Sequence, residues 1–213
     1  MGEEKVMLEI TEYTKFLIGL LAIVDPLGAI PVFIALTVHQ SREQQFKTAR
    51  LTVISVFTAL MVALLLGEWI LWAFGISIDA FRCAGGIILL LMGLTMLKSR
   101  GHTPEEIEAA QDETIALVPL TMPLLAGPGA MSAVIVYAHQ SNSVFHYVAI
   151  TGCILLVSSS LWLCFKFLPW FRQHLSKRSI VMSTRVMGLL LAAIAVEFIA
   201  GGIKGLFPHV VSG

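Results

Sequence analysis

Two short runs carry the residues able to do chemistry in this chain, and both interrupt apolar text. The first is Asp25-Pro26-Leu27-Gly28-Ala29-Ile30-Pro31 and the second is Ala126-Gly127-Pro128-Gly129-Ala130. In hydrocarbon, a helix break leaves N–H and C=O groups unsatisfied, so it is tolerated only inside protein or along a polar cavity. Paired breaks in corresponding places of two halves point to a substrate site near the bilayer midplane. Asp followed by Pro is a helix start, with Asp25 as N-cap and Pro26 as the first helical residue. A carboxylate at membrane depth is expensive and by default functional, here toward a cationic substrate group, a proton or a sodium ion. The alternative is that Asp25 only caps its half-helix. In the second run Gly127 takes the cap position without a carboxylate. The free N–H groups from Gly127 to Met131 then favour an anion such as a substrate carboxylate. The expected substrate-binding set is Asp25, Pro26, Gly28, Pro31, Thr121, Gly127, Pro128, Gly129 and Ser132.

Three further charges lie within or at the ends of apolar stretches. Glu197 reads either as an ion-coupling acid or as a carboxylate hydrated near the outer surface. Arg82 and Arg185 read either as interfacial anchors or as gates that pair with the acids. The run Ser158-Ser159-Ser160 is expected to bond to helix carbonyls, and Gly85, Gly86, Gly93 and Gly188 to be helix-packing positions. Cys83, Cys153 and Cys164 have no ligand spacing, and the six histidines fall near span ends or in loops as interfacial or solvated side chains, so no metal site is expected. No GxSxG, P-loop or HExxH motif occurs, and no enzymatic activity is expected.

These residues must be positioned by membrane-spanning helices. Hydrophobic residues make up 57% and charged residues 13% of the 213, and mean hydropathy is +0.85, against roughly a quarter charged in soluble domains. The formal net charge of zero offers no basic stripe for nucleic acid. Counting spans of about 20 apolar residues gives six, at about 15–38, 50–74, 81–98, 116–138, 145–168 and 183–206. The segment from Met1 to Tyr13 has four glutamates against one lysine, so it lacks the cationic start of a secretory signal, and the first span is expected to stay in the mature protein. Between Ser99 and Thr114 an acidic run behind Thr103-Pro104 reads as a solvated linker with a short helix.

Lys and Arg set the orientation. Ten of the 14 fall in the loops after spans one, three and five: Arg42, Lys47, Arg50, Lys98, Arg100, Lys166, Arg172, Lys177, Arg178 and Arg185. These loops are expected in the cytoplasm, with both termini outside. The halves also align. Pro26 and Pro128 are 102 residues apart, while Arg82 and Arg185, and Gly85 and Gly188, are 103 apart. Three spans per half is an odd number, so the second copy must cross the bilayer the other way round.

The strings IVDPLGAIPVF, PLLAGPGAMSAVIVY, FRCAGGIILLLMGL and RVMGLLLAAIAVEFIAGGI together resemble the MarC family of bacterial and archaeal inner-membrane proteins, over Phe16 to Leu206. The resemblance implies six spans, kinship with the lysine-exporter-like superfamily, and a substrate class of small neutral amino acids such as glycine and alanine, described for an archaeal relative. Family members often carry glutamine where Glu197 stands, which implies that a carboxylate there is dispensable. The expectation is therefore an all-α polytopic membrane protein. It would form one transmembrane domain over 1–213, with repeat 1 at about 15–98, a linker at about 99–114 and repeat 2 at about 116–206. These are inverted-topology repeats of three helices, with helices 1 and 4 broken. The expected function is secondary transport of small neutral amino acids by alternating access, without a cofactor and with H+ or Na+ as the coupling candidate. A passive small-solute channel and a non-transporting scaffold are the alternatives. The expected location is the bacterial cytoplasmic membrane with periplasmic termini. The expected partners are a small-molecule substrate and the lipid bilayer but not nucleic acid, and homo-oligomerisation is left open.

Overall fold

The computed structural model describes residues 2–37, 40–98, 127–141, 143–168 and 177–208. Regular structure among them is entirely helical: α1 (Gly2–Val24), α2 (Ala29–Leu36), α3 (Arg42–Ala73), α4 (Ile78–Lys98), α5 (Pro128–Ala138), α6 (Val144–Lys166) and α7 (Lys177–Leu206). Among the described residues, four stretches are long and apolar enough to cross a bilayer: Arg42–Ala73, Ile78–Lys98, Val144–Lys166 and Met182–Leu206. They coincide with the expected spans at 50–74, 81–98, 145–168 and 183–206. The expected span at 15–38 is divided between α1 and α2. That at 116–138 is described only from Gly127 onward, and the acidic linker lies outside the described residues.

Local chemistry explains the helix ends that hydropathy misses. α3 starts at Arg42 rather than near residue 50 because Ser41 and Gln44 form a capping box: Gln44 N–H donates to Ser41 Oγ at 3.3 Å and Ser41 N–H donates to Gln44 Oε1 at 2.9 Å. Those polar residues lie outside any apolar window, yet they satisfy the first orphan donors. At the other end Gly75 takes φ 65°, and Ile76 N–H reaches back to Leu71 O while Gly75 N–H reaches Trp72 O. This Schellman closure needs a residue without Cβ.

The core gathers one stripe from each helix. On α1 it is Phe16, Leu20, Ile23 and Val24, and on α3 it includes Val56, Leu60, Ala63 and Leu64, both at helical spacing. Phe16 stacks on Tyr137 of α5 and Phe33 of α2 on Phe165 of α6, each pair with ring centroids 4.2 Å apart. The outer faces of the long helices stay apolar and exposed, as with Leu65, Trp69, Leu91, Val148 and Leu189, which is the surface that hydrocarbon covers.

The most extensive contact joins α4 and α7, which run antiparallel with backbone nearly on backbone. A Cβ built on Gly93 would lie 2.8 Å from Gly188 O and 2.9 Å from Ala192 N. One built on Gly86 would lie 2.9 Å from Ala195 O, and one on Gly202 would lie 2.7 Å from Asp79 O. Small residues at such seams let two helices approach where lipid offers no hydrophobic driving force. Gly86, Gly93 and Gly188 thus act in packing.

One expectation about histidine needs correction. His146 is buried, not interfacial: Tyr13 Oη lies 2.8 Å from its Nδ1, and its Nε2 lies 2.9 Å from Tyr137 O. A carbonyl only accepts, so Nε2 carries the proton and Nδ1 accepts from the Tyr13 hydroxyl. The ring thereby ties α6 to α1 and α5. His139 is exposed, as expected, and its Nδ1 pairs with Glu68 Oε1 of α3.

Candidate functional site

Asp25 sits between α1 and α2 with only 4% of its surface exposed. Its backbone adopts φ 41°, the left-handed region that Asp and Asn tolerate better than most residues. Asp25 N–H closes the last turn of α1 on Leu21 O at 2.9 Å. Its carbonyl then accepts from Ala29 N–H at 3.0 Å, and its Oδ1 accepts from Gly28 N–H at 3.0 Å. The capping hydrogen bonds are therefore present, but the expected start of the helix is displaced. Pro26–Gly28 form a turn, α2 is regular only from Ala29, and Gly28 rather than Asp25 occupies its cap position, without a side-chain cap. The reason lies in the positive φ at Asp25, which redirects the chain before the helical path resumes.

The second carboxylate oxygen of Asp25, Oδ2, is buried and has no hydrogen-bond partner among the described residues. It lies over Gly28: a Cβ built there would meet Oδ2 and approach Cγ to 2.8 Å. Gly28 is required because the carboxylate fills the space a side chain would occupy. Pro26 is buried beside it, and Pro31 lies in the first turn of α2.

α5 begins at Gly127, with Pro128 in the first turn, where its missing N–H costs nothing. The expected cradle from Gly127 to Met131 narrows here. Ala130 and Met131 N–H groups both donate to Gly127 O, at 2.9 and 3.2 Å, which leaves the N–H of Gly129 and the cap itself. Gly129 is tightly packed as well: a Cβ there would meet Leu89 of α4, with Cγ at 3.1 Å, and Ile23 Cγ2 at 3.8 Å. Ile23 precedes Asp25 by two residues, so the end of α1 that leads into Asp25 packs on the start of α5. Ser132 is buried against Gly85 of α4, its Cβ 2.6 Å from where a Gly85 Cβ would sit. Pro128 is exposed, and Thr121 lies outside the described residues.

The remaining charges do not join this cluster. Arg82 is half-buried against α7, its Nη2 2.7 Å from a Cβ position on Gly201 and its Cζ 5.6 Å from the centroid of the Phe198 ring. Its Nε is buried without a partner among the described residues. Arg185 and Glu197 are both exposed on α7. Among the described residues, no ion pair links either arginine to Asp25 or Glu197. The buried His146, whose partner Tyr13 is 133 positions away, was not expected in the interior, and Ser158 Oγ, expected to bond to a helix carbonyl, lacks a partner among the described residues. Only Ser160 of that run bonds to a helix carbonyl as expected, Val157 O at 2.7 Å.

Long apolar helices, lipid-facing outer surfaces and a buried acid at a helix interruption define a polytopic helical membrane protein. The chain belongs to the MarC family: the profile for MarC family integral membrane proteins matches residues 10–207. The UPF0056 membrane protein YhcE of Escherichia coli (strain K12) is 41% identical over 205 residues, covering 94% of this chain and 95% of the relative. A UPF0056 membrane protein of Methanocaldococcus jannaschii is 40% identical over 191 residues, covering 88% and 93%. One from Aquifex aeolicus is 34% identical over 202 residues, covering 92% and 94%. No solved structure matches the chain.

Proposed function

We propose that this protein is a secondary transporter of small neutral amino acids, working by alternating access around Asp25 and the start of α5. The observation that carries the reading is the contact of Ile23 with Gly129. It packs the end of α1, which leads into a carboxylate with one oxygen lacking a partner among the described residues, against the first turn of α5. A zwitterion answers both: its ammonium donates to Asp25 Oδ2, and its carboxylate accepts from the backbone at Gly127 and Gly129, assisted by the helix dipole. Asp25 is also the best coupling group for H+ or Na+, because it alone among the candidates is fully buried.

In this reading the chain forms six spans as two inverted repeats in the cytoplasmic membrane, with both termini periplasmic.

The test is counterflow in proteoliposomes loaded with unlabelled glycine or alanine, repeated with imposed proton and sodium gradients. The carrier reading expects internal substrate to accelerate entry of label. Uptake without such acceleration identifies a pore, and no uptake of either amino acid overturns the substrate class.

A further inference from the structure

A cleft of about 520 Å³ opens between α3 and α6, away from Asp25 and α5. Its volume falls within the range of about 300–1,000 Å³ typical of small-molecule sites. Phe46, Ile54, Phe57 and Trp162 supply apolar walls, and Arg50 and Ser158 supply polar groups. Phe46 and Trp162 meet edge to face with centroids 5.1 Å apart and close one end of the cleft.

The distribution of chemistry along the cleft is uneven. Arg50 and the Phe46–Trp162 pair lie toward the N-terminus of α3, beside the C-terminal turn of α6 that ends in Lys166. From Arg50 onward the walls on α3 are Val53, Ile54 and Phe57. At about 1.5 Å rise per residue the stretch from Phe46 to Phe57 covers about 16 Å, roughly half of a hydrocarbon layer of about 30 Å. The lining therefore runs along α3 for about the thickness of one leaflet, cationic and aromatic at the end near Phe46 and apolar toward Phe57. Arg50 has no ion-pair partner among the described residues, whereas nearby Lys47 is held by Glu43 at 3.3 Å. Ser158 Oγ, buried in the same wall, has no partner among the described residues either.

We propose that this cleft binds one anionic phospholipid, its phosphate on Arg50, its glycerol region beside the exposed Ser159 and an acyl chain along Ile54 and Phe57. An isolated guanidinium in a membrane-facing cleft calls for a counter-charge, and its planar fork matches phosphate oxygens. Interfacial aromatics with an adjoining apolar channel match the remainder of a lipid. The site is independent of transport.

Trp162 reports on the occupant directly. The full chain carrying Trp69→Phe, Trp72→Phe and Trp170→Phe leaves Trp162 as the only indole. It is reconstituted in phosphatidylcholine bilayers containing increasing fractions of brominated phosphatidylglycerol or brominated phosphatidylcholine. One basic residue at a lipid surface is worth about 1 kcal/mol, or about fivefold. Quenching should therefore show about a fivefold preference for the anionic lipid, falling to about one in Arg50→Gln. A measurement without that variant is the same titration at about 1 M salt, where screening removes most of the preference. Equal quenching by both lipids in the protein with Arg50, or a preference that survives both Arg50→Gln and high salt, overturns the proposal.

Discussion

Replacing Asp25 separates its structural role from its chemical one, because its two carboxylate oxygens do different things. Oδ1 accepts from Gly28 N–H at 3.0 Å, and Oδ2 is buried without a partner among the described residues. Asparagine keeps an oxygen for Gly28 and tolerates φ 41°, so Asp25→Asn should unfold within about 1 kcal/mol of the parent. Alanine and glycine both lose the hydrogen bond, but only alanine keeps a Cβ in the left-handed region, where the strain is about 1–2 kcal/mol. Asp25→Gly should therefore be more stable than Asp25→Ala, by about 1 kcal/mol once the greater freedom of unfolded glycine is subtracted. This reverses the usual ranking in helices. For transport, loss of a charged hydrogen bond to a substrate ammonium, worth about 1.5–3 kcal/mol, predicts a 10- to 150-fold weaker interaction in Asp25→Asn. Thermal unfolding in detergent gives the stability order, and counterflow of labelled glycine gives the half-saturation. An asparagine variant that folds and exchanges glycine like the parent would reduce Asp25 to a cap. An alanine variant as stable as the glycine one would refute the backbone argument.

Three more outcomes follow from contacts. Gly93→Ala forces a methyl against Gly188 O and Ala192 N, backbone atoms that cannot rotate away, so it should destabilise by about 1–3 kcal/mol in thermal unfolding. Gly152→Ala on α6 meets nothing within 4 Å and should stabilise by about 0.5–1 kcal/mol through helix propensity. Tyr13→Phe removes the hydroxyl that donates to His146 and leaves a buried ring nitrogen unpaired, which costs about 1–3 kcal/mol and should appear as a lowered unfolding midpoint with helical circular dichroism retained below it.

How much of this was legible in the residue string depended on the range of the interaction. The four long helices follow from hydropathy alone, because hydrocarbon burial is a property summed over about 20 residues. The capping box at Ser41 and Gln44 was also written locally, but in polar residues outside the apolar windows, so the start of α3 was placed too late. An interruption at Asp25 was legible in Asp-Pro within apolar text, but it was read as an immediate helix start, whereas the turn over Pro26–Gly28 follows from the positive φ at Asp25. The packing role of Gly93 and Gly188 was readable as small residues on apolar helices, yet the partner atoms were not. His146 was misjudged because position near a helix start suggests solvent, and only the fold brings Tyr13 to it. The cleft beside Arg50 likewise joins two helices that no local pattern pairs.

The glycine seam between α4 and α7 constrains how the molecule can move. Side-chain interfaces slide when rotamers change, but here carbonyls and amides abut directly, so the two rods can part only by giving up main-chain contacts along most of their length. They form a stiff spindle that joins the middle of the polypeptide to its last helix. The proposed alternating access at Asp25 would therefore place its motion in the shorter segments, α2 and the first turn of α5, rather than in this pair.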